Sequence, residues 1–407
     1  MQIAAACLTL TIRIDLMFEH LSSCPPDPIL RLIDLHRRDE RPGKIDLGVG
    51  VYRSETGATP VMEAVRLAQQ ALLAREQTKA YLGTEGNAAF LECLRAVIFD
   101  ADAPQERIVG IQTPGGSGAL RLAGELATRA RPGAAIWVGE PTWPIHRAFF
   151  EAARLQYRAY GTFDVPTQTL RFDSMLQAVE NAASGDLFLV HGCCQNPTGE
   201  DLSAAQWQEL AGALARRGVV PLIDLAYQGF GSGLAADRAG AAIVLRNVPE
   251  AFVAYSCDKN FALYRERTGA LYVLAADAPN AVVVRSNLQS LARGNWSMPP
   301  DCGAAIVAEI LGSAGLAAQW RTELDAMRGR LQDVRRRIGA HGRIGAVDCA
   351  ALARQQGMFS LLALTVEQVR ELREKHAIYM TDAGRINVAG LTGRTVEPFI
   401  AALRAVC

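Results

Sequence analysis

Hydrophobic positions in this chain alternate between short continuous apolar runs and longer segments of helical period. The runs at residues 134–139 (AAIWVG), 186–192 (DLFLVHG), 219–225 (VVPLIDL), 251–255 (AFVAY) and 269–276 predict strands, several of them too uniformly apolar to have a solvated face. Helical spacing covers residues 61–77 and a stretch ending at Arg131. It returns in a helix capped by Ser203, at 281–293, and at 316–340, where the Arg335-Arg336-Arg337 run reads as a solvated face. Strand and helix alternate repeatedly. That order predicts an α/β fold, with a mostly parallel central sheet and helices on both faces. Near the C-terminus, a strand at 359–364, a helix at 365–376, a strand at 385–389 and a helix from Val396 predict a smaller α/β domain.

The expected organisation is an N-terminal extension at 1–16, taken as disordered, then an arm and part of the small domain at 17–60. A large domain at 61–324 and a C-terminal small domain at 325–407 follow, with the 316–340 helix bridging them. Asp27-Pro28 should open the first helix, and residues 44–51 should be extended. Lys and Arg together balance Asp and Glu at 42 each. No overall basic field exists to hold nucleic acid. No uncharged apolar run approaches the roughly 20 residues that span a bilayer, so neither a membrane nor a nucleic-acid partner is expected. Nine scattered cysteines without a CxxC read as reduced thiols of a cytoplasmic protein, not as a disulfide framework or a metal site. The opening MQIAAACLTL lacks the basic n-region of a signal peptide.

Candidate chemistry centres on Lys259. The 251–255 strand delivers it into a loop with Ser256 three residues before and Arg267 eight after. Lysine forms Schiff bases when its pKa is lowered, and a hydroxyl beside a guanidinium fork suits a phosphate monoester. Together they suggest pyridoxal 5'-phosphate, although taken alone the segment reads more simply as a surface lysine in a polar turn. Gly115-Gly116-Ser117-Gly118 opens a helix and could cradle phosphate through backbone N–H groups. A dinucleotide fingerprint fails, because Arg121 stands where the third glycine belongs. Trp143 between two prolines suits stacking on a planar ring or simple loop packing. Asp224, near a strand end, is either a partner for a protonated pyridine nitrogen or a buried, paired carboxylate. Asn196 and Tyr227 could hydrogen-bond the ring oxygen. Gly48 and Gly50 allow close approach or an ordinary turn, and Tyr81 packs or functions. Trp143, Asn196, Asp224, Tyr227 and Lys259 all fall at carboxyl ends of strands, where such sheets bind ligands.

Taken together, LGVGVYR (47–53), AYLGTEG (80–86), TPGGSGALR (113–121), EPTWPIH (140–146), HGCCQNPTG (191–199), DLAYQGF (224–230), SCDKNFALYRERTGA (256–270), ARGNWSMPP (292–300) and GRINVAG (384–390) resemble the aspartate and aromatic amino-acid aminotransferases of fold type I. The likeness runs from about Met17 to the end. It implies a fold type I pyridoxal-phosphate-dependent transferase, with Lys259 as Schiff-base lysine and proton shuttle and Asp224 on the pyridine nitrogen. Asn196 and Tyr227 would meet the ring oxygen, with Trp143 on the ring face. Gly116, Ser117, Ser256 and Arg267 would bind the phosphate, joined by Tyr81 of a partner subunit. Arg385 would grip the substrate carboxylate, with Gly50 closing over it and Arg293 of the partner meeting a distal carboxylate. A homodimer with shared active sites follows. The implied reaction exchanges amino groups between L-aspartate or aromatic L-amino acids and a 2-oxo acid such as 2-oxoglutarate. The retained Arg293 favours dicarboxylates, and Ser117, Ala80 and Met298 favour aromatic donors. Gln195, Asp258 and Trp296 depart from the usual histidine, serine and tyrosine. Alternation along a strand end would turn Asp258 away from Lys259. The alternatives are a lyase, decarboxylase or carbon-bond-forming enzyme of the same fold, a specialised biosynthetic donor, and a non-catalytic scaffold.

Overall fold

The computed structural model describes residues 16–24 and 28–407. Residues 1–15 of the expected extension, and Asp27 at the expected start of the first helix (Pro28–Arg38), lie outside the described residues. Seven strands build the central sheet: β1 (Ile108–Pro114), β2 (Ala135–Glu140), β3 (Gln156–Gly161), β4 (Leu187–His191), β5 (Val220–Leu225), β6 (Ala251–Ser256) and β7 (Thr268–Leu274). Their spatial order is β1-β7-β6-β5-β4-β2-β3. Within this sheet β7 alone runs antiparallel to its neighbours.

Apolar runs became the central strands because both faces of the sheet are covered. In β6, Ala251, Val253 and Tyr255 enter one core while Phe252 and Ala254 enter the other. The Gly115–Ala130 and Ala278–Asn295 helices cover the second face; Glu63–Arg75, Ala204–Arg217 and Cys302–Gly312 pack into the core on the first. Ser203 and Gln206 form a reciprocal capping box at the start of Ala204–Arg217, and Gly218 closes it in the left-handed conformation at φ 63°. Edge strand β3 carries no apolar run, since Gln156, Arg158 and Ala159 face solvent. Its polarity hid it from the hydrophobic pattern. Cys302–Gly312 escaped for the opposite reason, being apolar nearly all round and therefore without a clear helical period.

A separate core gathers Ile45 and Leu47 with Ile378, Ile386, Phe399 and Leu403, around the paired strands Ile45–Asp46 and Ile378–Tyr379. The Ala314–Gly339 helix serves both bodies: Trp320, Leu324 and Leu331 pack into the sheet core, and Val334 and Ile338 into the smaller one. Its arginine run is not uniformly solvated. Arg336 and Arg337 are exposed, but Arg335 is 2% exposed and donates to the carbonyls of Leu352, Gln356, Gly357 and Phe359 and to Ser360 Oγ. The helical period decides this: Arg335 follows Leu331 by four residues and precedes Ile338 by three, so it lies on the buried face. Among the described residues no single helix is long and apolar enough to cross a membrane.

Candidate active site

The carboxyl edge of the sheet encloses a cavity of about 420 Å³. Gly116 and Ser117 reach it from the helix that follows β1, and Trp143 and Asn196 from the loops after β2 and β4. Asp224 and Tyr227 come from β5 and the turn beyond it, Ser256 and Lys259 from β6 and its turn, and Arg267 from the residue before β7. Because β7 is antiparallel, its first residue lies at the edge where β1 and β6 end: Gly269 pairs with both Thr113 and Ser256. Arg267 thus faces Ser117.

Asp224 is buried among positive or polarisable neighbours. His146 Nε2 lies 3.2 Å from its Oδ2, and the Thr142 hydroxyl lies 2.8 Å from His146 Nδ1. With that hydroxyl donating to Nδ1, the ring proton sits on Nε2 and points at the carboxylate. Burial alone would raise the Asp224 pKa, but the hydrogen bond from His146 and the charges of His191, His146 and Lys259 prevail and hold it below the usual carboxylate range. Burial pulls His191 down to about 4, so it is neutral near pH 7 and charged only in the acidic range where Asp224 would itself titrate. An ionised carboxylate here can keep a ring nitrogen protonated. Burial, then Asp224, pushes the Tyr227 phenol well up, leaving it a hydroxyl donor. Asn196 Oδ1 is buried with no hydrogen-bond partner among the described residues.

Lys259 occupies a turn that is fixed from below. Trp320 stacks on Phe261 at 4.5 Å between centroids and donates to the Asn260 carbonyl at 2.8 Å, while Asn260 Nδ2 donates to the Tyr255 hydroxyl at 2.8 Å. The stacking contributes about 0.5–1.5 kcal/mol beyond area burial. Lys259 Nζ sits 5.5 Å above the Tyr227 ring.

Asp258 does not turn away. Its Oδ2 accepts from Arg267 Nη1 at 2.6 Å and lies 3.7 Å from Lys259 Nζ. Strand alternation does not govern it, because β6 ends at Ser256 and residues 258–261 form a turn. Arg267 Nη2 donates to Ser117 Oγ at 3.1 Å. A Cβ on Gly115 would come within 2.5 Å of that nitrogen, and one on Gly116 within 3.0 Å of Ser256 Cβ. The glycines therefore let the helix N-terminus, Arg267 and Ser256 converge on one point, where the helix dipole and the guanidinium favour an anion. An anion cradle, an ionised carboxylate and a lysine around one cavity fit pyridoxal phosphate.

Arg385 lies behind this cavity, 5% exposed, with Nη2 donating to the Gly48 carbonyl at 2.7 Å and its guanidinium 4.8 Å over the Phe359 ring. Phe359 in turn meets the Tyr227 ring edge-on at 5.7 Å. A Cβ on Gly50 would stand 3.3 Å from Phe359 Cζ. Asn387 Nδ2 holds this loop by donating to the Val49 and Val51 carbonyls at 2.6 and 2.7 Å. Tyr81 is 93% exposed, and Arg293 is exposed with its guanidinium on Ser297 Oγ; neither enters this chain's own cavity. Gln195 ties two loops together, donating to the Pro141 carbonyl and accepting from Thr198. Trp296 packs beside the second sheet core. His146, His191 and Asn387 carried no assigned role from sequence. Each was present in a motif, but only the fold brings His146 to Asp224, 78 residues away.

The aminotransferase class I and II family model matches residues 42–403. Tyrosine aminotransferase of Rhizobium meliloti is 50% identical over 375 residues, covering 92% of this chain and 96% of that protein. Aspartate aminotransferase of Escherichia coli K12 is 43% identical over 395 residues, covering 96% of this chain and all of the other. Among solved structures, an aromatic-amino-acid aminotransferase from Burkholderia pseudomallei covalently bound to pyridoxal phosphate superposes with a TM-score of 0.93 at 37% identity, covering 96% of this chain and 100% of that one. With the family model spanning most of its length, the chain belongs to the class I and II aminotransferases, which are pyridoxal-phosphate-dependent enzymes.

Proposed function

We propose that this aminotransferase accepts both L-aspartate and aromatic L-amino acids as donors, with a 2-oxo acid such as 2-oxoglutarate as acceptor. The observation that carries the reading is the convergence of Lys259, Asp224 and Arg267 on one cavity with Arg385 buried behind it. Relatives named for tyrosine, aromatic amino acids and aspartate support the breadth. Arg267, Ser117, Ser256 and the Gly116 backbone would hold the phosphate. Asp224 would face the ring nitrogen, Asn196 and Tyr227 the ring oxygen, and Trp143 the ring face. The cofactor, when bound, supplies the electron sink that makes the substrate Cα acidic. Lys259 Nζ takes the Cα proton and returns a proton, base then acid. Arg385 orients the substrate through its α-carboxylate, and Gly50 leaves room for the loop over it.

Tyr81 and Arg293 would serve the partner's cavity in a homodimer, which their exposure permits. The large sheet body at 61–324 and the small body formed by 17–60 with 325–407 would be its two domains, in a cytoplasmic enzyme. Mixing the holoenzyme with excess L-aspartate, and separately with L-phenylalanine, should bleach its visible absorbance within one turnover in both cases. Bleaching by a single donor would remove the dual assignment, and by neither would remove both. Arg385→Lys keeps the charge but loses the planar fork, so kcat/KM should fall roughly 10- to 100-fold for every donor alike. A loss confined to dicarboxylates would instead assign Arg385 to the side-chain carboxylate.

A further inference from the structure

The anion cradle contains an anion of its own. Asp258 is 5% exposed, and its Oδ2 takes Arg267 Nη1 at 2.6 Å. Its Oδ1 is buried with no hydrogen-bond partner among the described residues. The other donors of the cradle are the Ser117 and Ser256 hydroxyls and the backbone at Gly116, all lining the same cavity as Asp258. The titratable groups around the carboxylate are Arg267, Lys259, Cys257 and Tyr264. Two of these are cations, and both lie on one side of it. The Arg267 fork is divided, with Nη1 committed to Asp258 and the Tyr264 carbonyl and Nη2 to Ser117 Oγ. Any phosphate held by Arg267 must share that guanidinium with a carboxylate fixed on the neighbouring turn.

We propose that Asp258 is a built-in competitor for the cofactor's phosphate, so that this enzyme retains pyridoxal phosphate less tightly, and draws less of its affinity from the phosphate, than the same site with a neutral residue at position 258. The inference rests on reading Arg267, Ser117 and Ser256 as the phosphate subsite. Like charges at contact distance in a partly dry site repel strongly, whereas a hydroxyl or amide there could donate to the phosphate.

The test strips the full-length enzyme of cofactor and titrates it with pyridoxal phosphate and, separately, with pyridoxal, reading tryptophan fluorescence. Asp258→Asn keeps the shape without the charge, and Asp258→Ser opens the space; circular dichroism checks the fold of each. Both should bind pyridoxal phosphate at least about tenfold more tightly, while pyridoxal affinity changes by less than about threefold. Holoenzyme of either variant should also release cofactor more slowly into a trap. Arg267→Ala should weaken pyridoxal phosphate and spare pyridoxal. If Arg267→Ala does so but neither Asp258 variant tightens binding, competition is overturned and the subsite reading stands. If Arg267→Ala leaves the preference for the phosphorylated form intact, the subsite reading itself fails.

Discussion

Lys259→Ala should lower kcat by about 10⁴-fold or more with both aspartate and phenylalanine, because under the proposed assignment it removes both the anchoring amine and the acid–base group of one proton transfer. The fold should survive: the side chain is 18% exposed, its ion pair is 3.7 Å long, and the turn is held by Trp320, Phe261 and Asn260 instead. Thermal unfolding should therefore move little while turnover collapses. Lys259→Arg makes the comparison sharper, since it keeps a cation at the same place but never presents a neutral amine near pH 7. Retention of more than about 1% of turnover by the alanine variant would displace Lys259 from the proton-transfer role.

The second large effect belongs to Asp224. Asp224→Ala should reduce kcat/KM by roughly 10²- to 10⁴-fold, the equivalent of the about 3–5 kcal/mol lost when one partner of a buried charged pair is removed. Two charge-preserving and charge-removing controls separate the causes. Asp224→Glu should recover part of the loss, while Asp224→Asn should resemble alanine, if, as proposed, what acts is the negative charge held against His146 and the ring nitrogen. The pH profile carries the sign. With the Asp224 pKa depressed, the carboxylate stays ionised as pH falls through the ordinary carboxylate range, so titration of this group should impose no acid limb there. Equal activity of the asparagine variant and the wild type would show that the charge is irrelevant to the reaction.

Strands with uninterrupted apolar runs were legible because burial on both faces leaves no polar alternation to confuse with a loop. β3 was not, since an edge strand satisfies half its backbone elsewhere and needs no apolar side chains. At the site, residues flanking strand ends are legible from topology alone: the order of strands and loops in the sequence places Lys259, Asp224 and Asn196 at one edge. Side-chain direction was a different matter. Asp258 was assigned outward by strand alternation and lies inward because the chain has already turned; Arg335 was assigned to solvent by its charge and lies inward because its helical position outranks its polarity. Long-range pairs such as His146 with Asp224 carry no local signal at all. They exist only once two loops meet.

The reversed direction of β7 has a consequence for how this site can change over time. In an all-parallel sheet, anchor and lysine would sit on separate crossover units, and each would shift whenever an intervening helix gained or lost a turn. Here the lysine and its arginine are eight residues apart on one reversing segment, so insertions elsewhere in the chain leave their separation untouched. The pair therefore behaves as one local unit. Arg385, proposed above as the substrate-carboxylate residue, comes from a distant chain segment and has no such protection, so its position relative to the lysine can shift while the lysine–arginine spacing stays fixed.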